Sequence, residues 1–137
     1  RDCGGGGICS HGRERNKCWY CDPVGTLWAR ANARIRDAIG TENRAGRSTA
    51  ELLGCDKATF FNHIEAQFVG EMSWERITEI EIDHRVPIGY PGAAGGPPTL
   101  DEKVARLDYR NCQPLWAPDN WAKGNRWADP ELPELLK

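Results

Sequence analysis

The chain has 137 residues, 39% of them hydrophobic and 28% charged, and its 18 basic and 20 acidic side chains leave a net charge of −2. Mean hydropathy is −0.64, and no apolar run approaches the roughly 18 residues of a spanning helix, which argues against a membrane protein. Charge is unevenly spread: residues 1–50 carry nine Arg/Lys against five Asp/Glu, so the remaining residues sum to −6. That asymmetry is a pointer to a basic contact surface, with ordinary solvated charge as the alternative.

The first grouped signal is Cys9-x-His11, six residues, then Cys18-x-x-Cys21. Tetrahedral zinc takes four sulfur or nitrogen donors, and two close pairs joined by a polar loop can wrap the ion from both sides. A disulfide framework is the competing reading, since the cysteine count, six, is even. The histidine in the cluster and the lack of a secretory leader favour zinc. Cys3 is a candidate replacement for Cys9. With so small a core of its own, residues 1–25 would be folded by the metal, and four protein donors make the ion structural. Cys55 and Cys112 lie in apolar contexts and read as buried small hydrophobes.

Beyond Asp22-Pro23 the pattern turns helical. Thr26 is expected to cap a helix over residues 27–39, with Ala31, Ile35, Ala38 and Ile39 on one side and Gly40 as its stop. Arg30, Arg34 and Arg36 project from it, either as a solvated face or as a phosphate-contacting one. Ser48-Thr49-Ala50-Glu51 has the form of a capping box before Leu52-Leu53-Gly54. Phe60, Ile64 and Phe68 recur at helical spacing within residues 57–68 and mark core, while His63 falls off that stripe. A strand is expected over residues 79–88, ending in Asp83-His84, and Gly, Pro and Ala over residues 89–98 read as a flexible excursion. A short helix over residues 101–107, an extended segment from Asn111 to Trp116 and a last helix from Pro118 to about Trp127 follow. Ala128 to Lys137 reads as a surface-packed tail.

Asp83-His84 at a strand end, Asn111 opening a second strand and Asn120 on a helix form the constellation with chemical content. A carboxylate and an amide oxygen are hard donors suited to Mg²⁺. A histidine beside the metal carboxylate, with an ordinary pKa near 6.5, can take a proton from water. Metal and base together are what phosphodiester hydrolysis requires. Residues 103–126 add five basic side chains against two acids, the balance a polyanionic substrate favours. Trp74 and Trp116 read as core, and Trp121 and Trp127 as either core or base-stacking residues.

The matching text is Leu52-Leu53-Gly54-Cys55, His63-Ile64-Glu65-x-Gln67-Phe68, Gly70-x-Met72-Ser73-Trp74, Ile82-Asp83-His84-x-x-Pro87, and Asn111-x-Gln113-Pro114-Leu115-Trp116-Ala117-x-x-Asn120-x-x-Lys123-Gly124. On these motifs the chain resembles the HNH endonucleases, in particular small phage and bacterial ones with an N-terminal zinc cluster. The resemblance implies an α+β fold: a ββα-metal core with flanking helices and a zinc-binding module. Residues 1–25 would be that module, 26–78 a helical region with a basic helix, and 79–137 the nuclease core and tail.

By the same resemblance, Asp83 and Asn120 would hold Mg²⁺ or Mn²⁺, His84 would be the general base, and Asn111 would hold its imidazole. Arg30, Arg34, Arg36, Arg85, Arg110, Lys123 and Arg126 would contact DNA, with double-stranded DNA the expected partner. Further expectations are a cytoplasmic location in a bacterial or phage-infected cell and a monomer or homodimer that nicks. The competing function is a zinc-stabilised DNA-binding accessory module of a phage assembly that cuts nothing.

Overall fold

The computed structural model describes residues 7–13, 18–127 and 132–136. Cys3, part of the loop between His11 and Cys18, and residues 128–131 and 137 of the tail lie outside the described residues.

Helix α1 (Pro23–Arg44) begins earlier than Thr26. Asp22 is the cap, its carboxylate accepting the Gly25 N–H at 2.9 Å, and Pro23 occupies the first helical position, where a missing N–H costs nothing. Thr26 is instead buried within the helix beside Leu27, Ala31, Ile35 and Ile39. Those four apolar residues repeat every four positions and form one face. The helical course does break at Gly40 (φ 79°, ψ 162°), a conformation that a side chain at Cβ would resist, and resumes through Arg44.

Helix α2 (Thr49–Leu53) carries the full capping box, Ser48 taking the Glu51 N–H and Glu51 taking the Ser48 N–H, and ends at Gly54 in the left-handed region (φ 80°). Helix α3 (Lys57–Glu65) is capped by Asp56 and buries Phe60 and Ile64. It stops before Phe68, which packs on the core from the following turn. Phe61 and Phe68 gather around the Trp74 indole at centroid distances of 4.2 and 4.8 Å, and Trp19 stacks on it from the N-terminal segment at 6.1 Å. Trp74 thereby joins α3 to the region of the cysteines.

Strand β1 (Ile80–His84) pairs antiparallel with β2 (Cys112–Trp116), placing Asp83 opposite Gln113 and His84 opposite Cys112. Helix α4 (Leu100–Arg106) lies in the connection between the strands, and α5 (Ala117–Lys123) follows β2 directly and packs on both strands. Period-two alternation puts Ile80, Ile82 and His84 on one face of β1 and Glu81 and Asp83 on the other. Leu27, Ile35, Leu53, Phe60, Ile64, Ile82, Leu107 and Cys112 share one core, so side chains from both sides of residue 78 pack together. Cys9, Cys18 and Cys21 form a separate small cluster.

The excursion over residues 89–98 is tied down. Arg106, only 2% exposed, donates to the carbonyls of Pro87, Ile88, Tyr90 and Pro91. The α4 capping box adds a second tie, because Glu102 accepts the Ala93 N–H as well as that of Thr99, both at 2.8 Å. A run of Gly and Pro has little side chain to pack, so its order here comes from two charged residues of the neighbouring helix.

Candidate functional site

Cys9, His11, Cys18 and Cys21 bring their ligand atoms within 4.8 Å of one another. His11 Nδ1 lies 3.6 Å from the Cys9 sulfur and 3.4 Å from those of Cys18 and Cys21. A tetrahedral ion at ordinary Zn–S and Zn–N distances sets a sulfur–nitrogen separation of about 3.5 Å. The spacing of the four atoms suits a structural metal such as zinc, with the disulfide-bonded Cys21 entering as a thiolate only on reduction. Burial raises the Cys9 thiol, but hydrogen bonds from the backbone of Arg13 and His11, and from the His11 ring, outweigh it and bring the pKa down to about 6. The thiolate that a metal requires is then accessible at neutral pH. Cys55 and Cys112 are different: burial pushes them up to about 11 and about 12, and they stay thiols, Cys112 buried and Cys55 half-buried.

The second site is a cleft of about 620 Å³ whose walls include Arg34, Asp83, His84, Lys103, Asn120 and Trp121. Three of the four residues expected to carry chemistry thus face one space, brought there by the end of β1 and by α5. Asp83 is 6% exposed and accepts from Gln113 Nε2 at 2.9 Å, the residue opposite it in the register. Lys123 Nζ lies 3.3 Å from Asp83 Oδ2 and also donates to the His84 carbonyl at 3.1 Å. Lys123, expected on phosphate, is here the cation that balances Asp83.

His84 is 6% exposed, and its imidazole has no hydrogen-bond partner among the described residues. Burial drives its pKa down to about 3, with the positive charges of Arg34 and Lys123 adding to the shift. The ring is therefore neutral at physiological pH, and His84 is among the residues that line the cleft. Asn120 donates its amide to Glu81 Oε1 at 2.6 Å, and Trp121 donates its indole N–H to Glu81 Oε2 at 3.2 Å. Glu81 was legible only as the residue two before Asp83, hence on the same strand face.

Asn111 does not serve the imidazole as expected. Its amide donates to the carbonyls of Val86 and Arg106, and its carbonyl accepts the Val86 N–H. Both amide hydrogens are engaged, and the side chain, 2% exposed, fixes the backbone that follows β1. The backbone hydrogen bond from the Arg85 N–H to the Asn111 carbonyl, at 2.7 Å, closes the same turn. The Asn111 side chain thus bonds the backbone at Val86, two residues after His84, and not the imidazole ring.

The arginines separate by environment. Arg30 donates to the Ile80 carbonyl at 3.1 Å and lies over the Trp19 ring, so it ties α1 to β1 instead of facing a ligand. Arg110 is held against Asp108 at 2.9 Å. Arg34 reaches the cleft, and Arg36, Arg85 and Arg126 are exposed. His63, off the apolar stripe of α3, has its Nε2 3.1 Å from the Cys112 carbonyl and joins α3 to β2.

These features define an α+β protein with a two-stranded antiparallel sheet, a helical layer over it and a cysteine–histidine cluster able to hold a structural metal. No protein-family model, no curated protein and no solved structure matches the chain. Among the described residues no helix is long and apolar enough to cross a membrane.

Proposed function

We propose that the chain is a metal-dependent DNA endonuclease of the HNH type, built on a ββα-metal core and acting on the phosphodiester backbone. The observation behind this reading is that Asp83, His84 and Asn120 line one cleft, with the His84 imidazole buried and unpartnered among the described residues. A buried polar ring without a bond costs stability, of order 1 to 3 kcal/mol. A group kept at that cost points to work done in the cleft. Arg34 and Lys103 stand on the walls with Asp37 and Asp83, and because Lys123 neutralises Asp83 the remaining charge favours an anionic substrate.

Asp83 and the carbonyl oxygen of Asn120 would hold Mg²⁺ or Mn²⁺, and both are hard oxygen donors that suit such an ion. When bound, the ion would supply charge neutralisation at the phosphate and its leaving oxygen. His84 would accept the proton of the attacking water at its free ring nitrogen, being already neutral. The incoming phosphate, an anion beside the ring, raises the imidazole pKa and so offsets Arg34 and Lys123. Asn111 would keep the base in place by fixing the turn at Val86. With Asp83 committed to the ion, Lys123 would be free to contact phosphate.

The test is relaxation of supercoiled plasmid with and without added Mg²⁺, for the wild type and for His84→Ala. Metal-dependent nicking that falls about 100-fold or more in the variant, with DNA binding retained, is the expected result. The Lys123–Asp83 pair also suits a DNA-binding accessory module without chemistry, since it neutralises the carboxylate with no ion. A mobility shift without relaxation at any Mg²⁺ concentration supports that second reading.

A further inference from the structure

Trp121 is the most exposed large hydrophobic side chain described, at 69%. It lines the same cleft as His84 and Asn120. Its exposure is not that of a loose surface residue, because its indole N–H is anchored to Glu81 Oε2 at 3.2 Å. The other oxygen of that carboxylate holds Asn120. One carboxylate therefore orients both an aromatic plane at the cleft rim and an amide within it. Arg34 and Lys103 supply positive charge on the walls, against the acids Asp37 and Asp83, the latter already paired with Lys123.

We infer that Trp121 is a stacking platform for an unpaired nucleobase next to the phosphate that enters the cleft. An anchored, water-exposed indole gains by covering its face with another flat ring, and every base has one to offer. In an intact duplex each base is already stacked on both sides within the helix, so that face is not available. A single strand, a gap or a frayed end supplies it. The substrate class this favours is DNA with a locally unpaired base at the cleft, a narrower class than the double-stranded partner expected from the sequence. The inference rests on the proposed DNA-cleaving role for its phosphate, yet stacking can be read without any cleavage.

The experiment is binding of the full chain, without added divalent ion, to three oligonucleotides of one length: a single strand carrying 2-aminopurine, the matching duplex, and a single strand with abasic sites in place of bases. The wild type is expected to quench 2-aminopurine and to favour the single strand over the duplex. Trp121→Ala should lose the quenching and bind the base-bearing strand about tenfold more weakly, while binding the abasic strand as the wild type does. Trp121→Phe should keep most of the affinity. An unchanged affinity in Trp121→Ala, an equal loss on the abasic strand, or no quenching by the wild type overturns the inference. Plasmid relaxation by the wild type together with any of those results leaves the nuclease standing and removes the platform. Base-dependent quenching by a wild type that cuts neither plasmid nor single-stranded DNA with added Mg²⁺ does the reverse.

Discussion

The carboxylate of Glu81 accepts the Asn120 side-chain amide at 2.6 Å, joining the start of β1 to the centre of α5. A carboxamide has a donor end and an acceptor end, and this bond settles which faces the strand. The Asn120 carbonyl oxygen is left for the cleft, which is the end a cation would need.

Glu81→Ala should therefore weaken Mg²⁺ binding without removing a proposed ligand. Loss of an orienting partner of this kind costs about tenfold or more in metal affinity. The check is the Mg²⁺ dependence of plasmid relaxation, where the half-maximal concentration should rise while activity at saturating metal is largely recovered. Equal loss at all metal concentrations would assign Glu81 another role.

Asn111→Ala should cost stability more than its size suggests. It strips partners from the Val86 N–H, the Val86 carbonyl and the Arg106 carbonyl around a buried side chain. Leaving such groups unsatisfied costs about 3 kcal/mol, and urea denaturation would read it as a lower midpoint. Cleavage should fall even where the variant stays folded, because the turn that carries His84 is loosened.

Purified full-length protein is expected to hold one zinc ion, found by elemental analysis. Cys18→Ser should lose it, since Cys18 is fully buried with its sulfur 3.4 Å from His11 Nδ1. Structure near the cysteines should go with the metal, because a segment of this size has little core beyond the cluster itself. Intact protein free of metal would instead favour the disulfide framework.

Acid should loosen the turns ahead of α4. Backbone hydrogen bonds from Thr99 and Ala93 hold the Glu102 carboxyl below its usual value of 4.5. A depressed folded pKa means that the unfolded chain binds the proton more readily, so the stabilisation is complete above about 4.5 and is lost as pH falls through the folded pKa. Glu102→Gln should flatten that part of the acid limb in a thermal melt series from pH 6 to 3. An identical slope in variant and wild type would show that Glu102 is not a source of it.

Much of the architecture was legible because it is local. The Ser48–Glu51 box, the Phe60–Ile64 stripe, the two strands and the short helix between them each follow from residues within a few positions of one another. The start of α1 was misread because Asp22 and Pro23 outrank Thr26 as a beginning, Asp22 accepting from Gly25 while Pro23 presets the first turn. The cysteine–histidine cluster was legible for a related reason: its four donors fall within thirteen positions, so spacing alone brings them together.

Other features depend on partners that are distant in the chain. Whether Arg30 met solvent or the Ile80 carbonyl, whether Lys123 faced outward or Asp83, and which groups Asn111 would satisfy are settled by the packing of α1 and α5 on the sheet. Hydrophobic periodicity reports which face of an element is buried and is silent on which polar group meets which across the interface. Local sequence was enough to place most of the elements, the cysteine–histidine cluster and the candidates Asp83, His84 and Asn120. The tertiary structure alone decided that these three share a cleft, that Glu81 and Trp121 belong with them, and that a near-neutral chain sets Arg34 and Lys103 beside a buried histidine. A net charge of −2 sums over residues, whereas a cleft depends on where a few of them are placed.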